Sequence, residues 1–293
     1  MRTQRYAPLV LVAALCVSCG GSSDPVGEVT VTPERAELGY PGFADLDFAF
    51  QFEQPLEGLS GDLRVFVHLL DAKGGIVRTF DHDLPVPWRP GSSHEYTVPV
   101  YQSVLAPPLA PGEYDLTVGL HDAAGRRWAL RTATERGGSS ESVVATLTAV
   151  ESVDAAPMFL FPDVWRPSEG GTDRQVLARR WLGGTGSLRL AGLRSPGAVW
   201  MAVGVPVADQ RTEELILDEG ATTPTVEITT TCSDYSTRLE GIGSHPVTIP
   251  VTAAAGELST ECEVAFDANF YLVSLDTLAR RTVALENLSW SPR

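Results

Sequence analysis

Residues 65–75 read VFVHLLDAKGG, and residues 111–122 read PGEYDLTVGLHD. Each stretch places an apolar side chain at every second position, the period of a β-strand that buries one face. The apolar rows are Val65, Val67 and Leu69 in the first stretch and Tyr114, Leu116, Val118 and Leu120 in the second. The loops at 71–75 and 122–125 favour hairpin turns, with glycine where a positive φ is needed. The two stretches therefore predict β-structure.

Outward from these strands, short apolar or alternating runs recur between turns rich in glycine, proline, aspartate and serine. The strands predicted before residue 151 are Val26–Thr32, Leu46–Phe52, Leu63–Leu70, Gly75–Phe80, His94–Tyr101, Glu113–His121, Arg127–Thr132 and Ser142–Val150. Leu46, Phe48, Phe50 and Phe52 form a further apolar row. Eight short strands with frequent turns are typical of an immunoglobulin-like β-sandwich, which we predict for residues 26–150.

A polar segment at residues 151–157 predicts a linker, because its residues are small and it closes on a proline. The strands predicted beyond it are Met158–Phe161, Gln175–Trp181, Ser187–Leu193, Ala198–Val205, Glu213–Leu217, Thr225–Thr231, His245–Thr252, Glu261–Phe266, Asn269–Ser274 and Thr282–Trp290. That number suits a second sandwich of jelly-roll or carbohydrate-binding type over residues 158–293. No long stretch shows the 3.6-residue period of a helix, so we predict an all-β chain of two sandwiches.

The N-terminus carries Arg2 and Arg5, then an apolar run too short to span a bilayer. Residues 16–25 read CVSCGGSSDP, which resembles the bacterial lipoprotein signal, where a small residue precedes a cysteine that is acylated. Cys16 departs from it, since leucine is usual there. The resemblance implies a signal peptide at 1–18, lipidation of Cys19, a flexible tether at 19–25 and an outer-membrane destination. The alternative is an ordinary secretory signal with Cys19 incidental.

Two cysteines remain, Cys232 and Cys262. An even pair in an exported chain predicts a disulfide. A metal or redox pair is the alternative, which the absence of a C-x-x-C spacing and the single nearby histidine, His245, disfavour.

The overall charge narrows the range of partners. The 22 basic and 37 acidic residues give 22 − 37 = −15, so the chain does not attract nucleic-acid phosphates or anionic lipid surfaces. The 43% of hydrophobic residues suffices for packed cores.

Residues 65–75, 87–91 (PWRPG) and 111–122 together resemble the β-sandwich modules found beside bacterial membrane glycosyltransferases and in exported envelope proteins. His121 stands where that pattern usually has an aromatic residue. The resemblance covers roughly residues 26–135. Residues 161–171, the region of Trp181 and residues 269–290 are similar to the companion sandwich. The resemblance implies a fold and carries no catalytic residues.

Signatures of chemistry are missing from the sequence. It contains no G-x-S-x-G nucleophile elbow, no H-E-x-x-H metal motif and no phosphate-binding glycine loop. Residues 243–245 (GSH) are interpreted as a turn, and Asp81-His82-Asp83, the best titratable cluster, as a solvated loop rather than a metal site. His68 and His121 are expected to pack in one sheet. We therefore predict no catalytic residue, cofactor or metal; a carboxylate pair that is distant in the sequence is the alternative.

Trp88 and Trp165 both precede Arg-Pro at loop positions, where an exposed indole stacks on sugar rings; core packing is the alternative. The hypothesis that follows is a non-enzymatic, lipid-anchored envelope protein that binds a polysaccharide or a partner protein. The alternatives are an enzyme of envelope polysaccharide metabolism and a structural spacer.

Overall fold

A computed structural model describes residues 25–52, 63–84, 91, 93–122, 125–132, 137–138, 141–152, 156–162, 165, 179–208, 210–252 and 260–292. Every regular element in those ranges is a β-strand, which confirms the predicted all-β class. Accordingly, nothing in these ranges is a helix of the length and apolarity that a bilayer crossing requires.

The strands before residue 153 are β1 (Gly27–Thr32), β2 (Arg35–Tyr40), β3 (Gly42–Phe52), β4 (Arg64–Leu70), β5 (Ile76–Thr79), β6 (His82–Asp83), β7 (Ser93–Gln102), β8 (Gly112–His121), β9 (Arg127–Trp128), β10 (Gly137–Gly138) and β11 (Glu141–Ser152). They form two sheets. Sheet A has the order β1-β3-β7. Sheet B has the order β10-β11-β8-β4-β5, with β2 parallel to β11 and with β6 and β9 paired to β4 and β8.

The later strands are β12 (Met158–Leu160), β13 (Arg180–Trp181), β14 (Gly186–Ala191), β15 (Gly197–Val205), β16 (Glu213–Leu217), β17 (Thr225–Thr230), β18 (Ser236–Glu240), β19 (Gly243–Val251), β20 (Glu261–Ala268), β21 (Phe270–Ser274), β22 (Arg280–Arg281) and β23 (Ala284–Pro292). Sheet C has the order β12-β14-β20-β17-β18, sheet D the order β13-β23-β15-β19, and sheet E the order β16-β21-β22.

The sheets pack around two hydrophobic cores. In the first, the predicted apolar rows of β3, β4 and β8 meet between sheets A and B. Phe48 and Phe50 are 1% and 0% exposed, and Val67 is 0% exposed. In the second, sheets C and D enclose a core that includes the completely buried Trp290. Burial of one strand face per sheet is the main stabilising contribution in such layered packing.

The two cores are joined by the segment that follows β7. The Val104 N–H donates to the Leu288 carbonyl at 2.8 Å, and the Leu288 N–H donates to Ser103 Oγ at 3.1 Å. Leu105 and Ala106 are buried in the core of sheets C and D, although they lie in the first half of the sequence. Residues 103–106 therefore attach the sheet A–B pair to the middle of β23.

Several local expectations differ from the structure. Strand β2 was not predicted, because three of its six residues are charged or glycine and it buries only Leu38. Residues 243–245 begin β19 instead of forming a turn, and His82 and Asp83 form a short strand instead of a loop. The two hairpin turns are confirmed, with φ of 76° at Gly74 and 78° at Gly125.

Candidate binding cleft

A cleft of about 490 Å³ opens where the edges of sheets A and B face the outer surface of sheet D. We call it the junction cleft. Its described lining residues are Arg64, Phe80, Asp81, His82, Asp83, Tyr96, Thr97, Val98, Pro99 and Tyr101 from sheets A and B, and Trp200, Ala202, Ser244, Pro246 and Asn287 from sheet D. Its volume lies within the range of small-ligand sites.

The floor of the junction cleft is aromatic. The rings of Tyr101 and Trp200 stack with centroids 4.6 Å apart, and Phe80 meets Tyr101 edge-on at 4.9 Å. Burial raises the pKa of the Tyr101 hydroxyl well above its usual value, so this group stays neutral and serves as a hydrogen-bonding group. The contacts fix the two sheet pairs against each other at the base of the cleft.

One wall of the cleft holds a histidine–tyrosine pair. His82 Nδ1 lies 2.9 Å from the Phe80 carbonyl, and Nε2 lies 2.8 Å from the Tyr96 hydroxyl. Because a carbonyl oxygen can only accept, Nδ1 carries the proton and Nε2 accepts from Tyr96. Burial lowers the pKa of His82, which keeps the ring neutral at pH 7. The pair orients two polar groups without adding charge.

The carboxylates of the cleft are already engaged. Asp81 Oδ1 accepts from the Val67 N–H at 3.1 Å and lies 3.4 Å from His68 Nε2. Burial alone would raise the pKa of Asp81, but the His68 contact and the Val67 N–H outweigh it and lower that pKa. Asp83 accepts from Arg64 Nε at 2.9 Å. A glycosidase needs a carboxyl whose pKa is raised, so that it can act as a general acid, and Asp81 is shifted in the opposite direction.

Behind Asp81, the outer face of sheet B holds the two strand histidines. Phe66 lies between them, stacked on His68 at 4.9 Å and edge-on to His121 at 6.1 Å. This arrangement confirms the expectation that His68 and His121 pack in one sheet. The described residues include no group of three or more His, Cys, Asp or Glu side chains that could hold a metal ion.

Among the site residues predicted from the sequence, Trp165 lies in the core of sheets C and D rather than in the junction cleft. Trp165 is 5% exposed, and its Nε1 donates to the Ser187 carbonyl at 2.7 Å, so the prediction of an exposed, sugar-stacking ring at this position was wrong. Its face and edge are occupied by the core around Phe161 and Phe266. Trp88 and Cys19 lie outside the described residues.

The predicted disulfide is confirmed. Cys232 and Cys262 are bonded, with Cα atoms 5.0 Å apart, and link the end of β17 to the neighbouring strand β20. This bridge lies in the wall of sheet C rather than in the junction cleft.

The cleft residues Thr97, Ser244 and Asn287 were missed by sequence reasoning. Each is an ordinary polar residue on a strand, and nothing near it in the sequence distinguishes it. They meet only because residues 103–106 bring β7 beside β19 and β23. A signal could have come from the two prolines Pro99 and Pro246, which are unusual within strands and mark sheet edges.

No protein-family model matches this chain, and no curated protein is significantly similar to it in sequence.

Proposed function

We propose that this chain is a non-enzymatic, lipid-anchored protein of the bacterial cell envelope that binds an envelope polysaccharide in the junction cleft. The observation that carries the proposal is the cleft lining, where groups that pair with hydroxyls surround exposed apolar faces. Asp83 accepts from Arg64, and Thr97 and Ser244 donate to Asp47 and Glu286, so each keeps oxygen lone pairs that can accept from a ligand hydroxyl. Pro99 and Pro246 offer apolar contact. Sugars present both hydroxyls and C–H faces, so they fit such a lining.

Two alternatives are weaker. Partner proteins commonly add a strand to an open sheet edge, but the edge strands β7 and β19 carry Pro99, Pro246 and Pro250, and proline cannot donate to a strand ladder. An enzyme of polysaccharide metabolism would need a general acid, and the lowered pKa of Asp81 argues against that role for it. We therefore favour binding, with an immunoglobulin-like first sandwich and a carbohydrate-binding-like second one.

The binding experiment uses the purified full chain and a panel of soluble oligosaccharides, with affinities measured by calorimetry. Asp83→Ala removes a charged hydrogen-bonding group worth roughly 1.5–3 kcal/mol when it contacts ligand, so affinity should fall about tenfold or more. Asp234→Ala is the matched control, because Asp234 is also exposed and lies outside the cleft lining. The proposal fails if no oligosaccharide binds, or if the two variants weaken binding equally.

The anchor is tested separately. Replacing Cys19 by Ala removes the proposed acylation site, so the protein should move from the membrane fraction to the soluble fraction. A Cys16→Ala variant is the control, since Cys16 belongs to the segment that the proposed cleavage removes. If Cys19→Ala remains entirely in the membrane fraction, the proposed lipid anchor is wrong.

A further inference from the structure

The junction cleft does not end at sheet D. A second cavity of about 380 Å³ shares Ser244 with the junction cleft, and a third of about 520 Å³ shares Val207 with the second. The three cavities therefore follow one another past the beginning of β19. We call the second cavity the middle section and the third the apolar section. Ile242 and Pro246, which line the two ends, are four residues apart, or about 13 Å at 3.3 Å per extended residue.

The middle section is polar but electrically compensated. Arg179 Nη2 lies 3.4 Å from Glu286 Oε1, and Arg281 forms an ion pair with Glu213. The guanidinium of Arg281 also lies over the Trp181 ring, 4.2 Å from its centroid. Both arginines are thus committed to carboxylates, so this section offers hydrogen bonds rather than a net positive field for an anion.

The apolar section exposes aliphatic side chains to solvent. Val207 is 71% exposed, and Ile242 and Leu275 are each 51% exposed. These three make up nearly half of the seven large hydrophobic residues that are exposed in the described ranges, and all three line this one cavity. Exposed aliphatic groups gathered in one cavity are more informative than scattered ones, because together they offer a contiguous apolar contact surface.

We infer that the occupant is a neutral glycolipid, with its hydroxyl-rich head in the junction cleft and its hydrocarbon chain in the apolar section. This inference rests on the proposed function. The order of the sections supports it, because the three adjoining cavities pass from polar to aliphatic over a length that a single amphiphile can reach. An acidic amphiphile is disfavoured, because the chain carries a net charge of −15 and both arginines of the middle section are already paired with carboxylates.

The test uses the full chain carrying Cys19→Ser, so that the protein can be studied without detergent. Its affinity is measured for maltose and for a series of n-alkyl maltosides of increasing chain length, each below its micelle concentration. We expect the affinity to rise about two- to fourfold for each added methylene, as half to full burial of a CH₂ predicts. Alkyl oligo(ethylene glycol) ethers with the same chains should bind more weakly, because they lack the sugar head.

Substitutions in the apolar section test whether the dependence of affinity on alkyl chain length arises there. Ile242→Ser and Leu275→Ser should each flatten the dependence on chain length, while Met158→Ser, at a residue 62% exposed outside the groove, should leave it unchanged. An affinity independent of chain length overturns the glycolipid inference, and the proposed function still stands if Asp83→Ala weakens oligosaccharide binding. Equal affinity for maltosides and glycol ethers also overturns it, because the groove would then recognise hydrocarbon alone.

Discussion

Removing the Cys232–Cys262 disulfide should lower the free energy of unfolding by an amount that its loop length sets. The bonded cysteines are 30 positions apart. The chain-entropy relation for a loop of that length gives about 12 cal/mol/K, or about 3.6 kcal/mol at 25 °C. The cost is expected to be somewhat larger for Cys232→Ala/Cys262→Ala, because both side chains are buried and their removal leaves a cavity.

The assay is urea unfolding of the purified full chain, followed by tryptophan fluorescence, with and without a reductant. The reductant should destabilise the wild-type protein by about 3–4 kcal/mol and should leave the double alanine variant unchanged. The same loop contains β19, which lines the junction cleft, so amide exchange in β19 should accelerate in the reduced protein. Coincident unfolding curves for oxidised and reduced wild-type protein would refute the reasoning, since the bridge would then constrain nothing that unfolding releases.

Two further outcomes are expected. Gly197→Ala should destabilise the protein by about 1–3 kcal/mol in the same urea assay, because a Cβ there would collide with the Trp290 ring. Gly184→Ala should change stability little, because no heavy atom lies within 4 Å of the added Cβ. Equal effects of the two substitutions would contradict the packing argument. The pKa of Asp81 is lowered in the folded protein. The ionised carboxylate therefore contributes to the free energy of unfolding above its unfolded pKa near 3.8, and this contribution is lost as pH falls through the pKa of the folded state. In thermal unfolding, Asp81→Asn should therefore be less stable than wild type at pH 6, and the difference between the two proteins should shrink below about pH 4. A difference that does not depend on pH would show that the His68 contact does not favour the carboxylate.

Strand positions could be predicted from the sequence because alternation is a local property. The bounds of β16 match the predicted Glu213–Leu217 at both ends, and the predicted core row of β3 is buried. β2 escaped prediction because its pairing is parallel to β11, about 110 residues later in the chain, and parallel pairing leaves no short-range turn signal. The disulfide could be predicted from the count of cysteines together with the predicted export signal.

Burial of single loop residues could not be predicted in the same way. The Arg-Pro that follows Trp165 predicted a loop position, yet whether the indole of Trp165 meets solvent depends on distant partners. Phe266, about 100 residues further along, packs against the Trp165 ring with ring centroids 5.7 Å apart, and the Ser187 carbonyl accepts from the indole N–H of Trp165. Local sequence carries turn preferences but not the identity of long-range neighbours, so the side chain was assigned to the wrong environment.

The position of the junction cleft has a consequence for how a ligand would be held. Its walls come from segments about 100 residues or more apart in the sequence, so its shape depends on the contacts that join the two sheet pairs. Those contacts are the Tyr101–Trp200 stack, the hydrogen bonds of Leu288 with Val104 and Ser103, and the insertion of Leu105 into the second core. They are buried and directional rather than the exposed ion pairs that salt weakens. A cleft fixed in this way loses little conformational entropy when a ligand binds, which would favour the proposed binding of a neutral glycan despite the modest hydrogen-bonding power of the cleft.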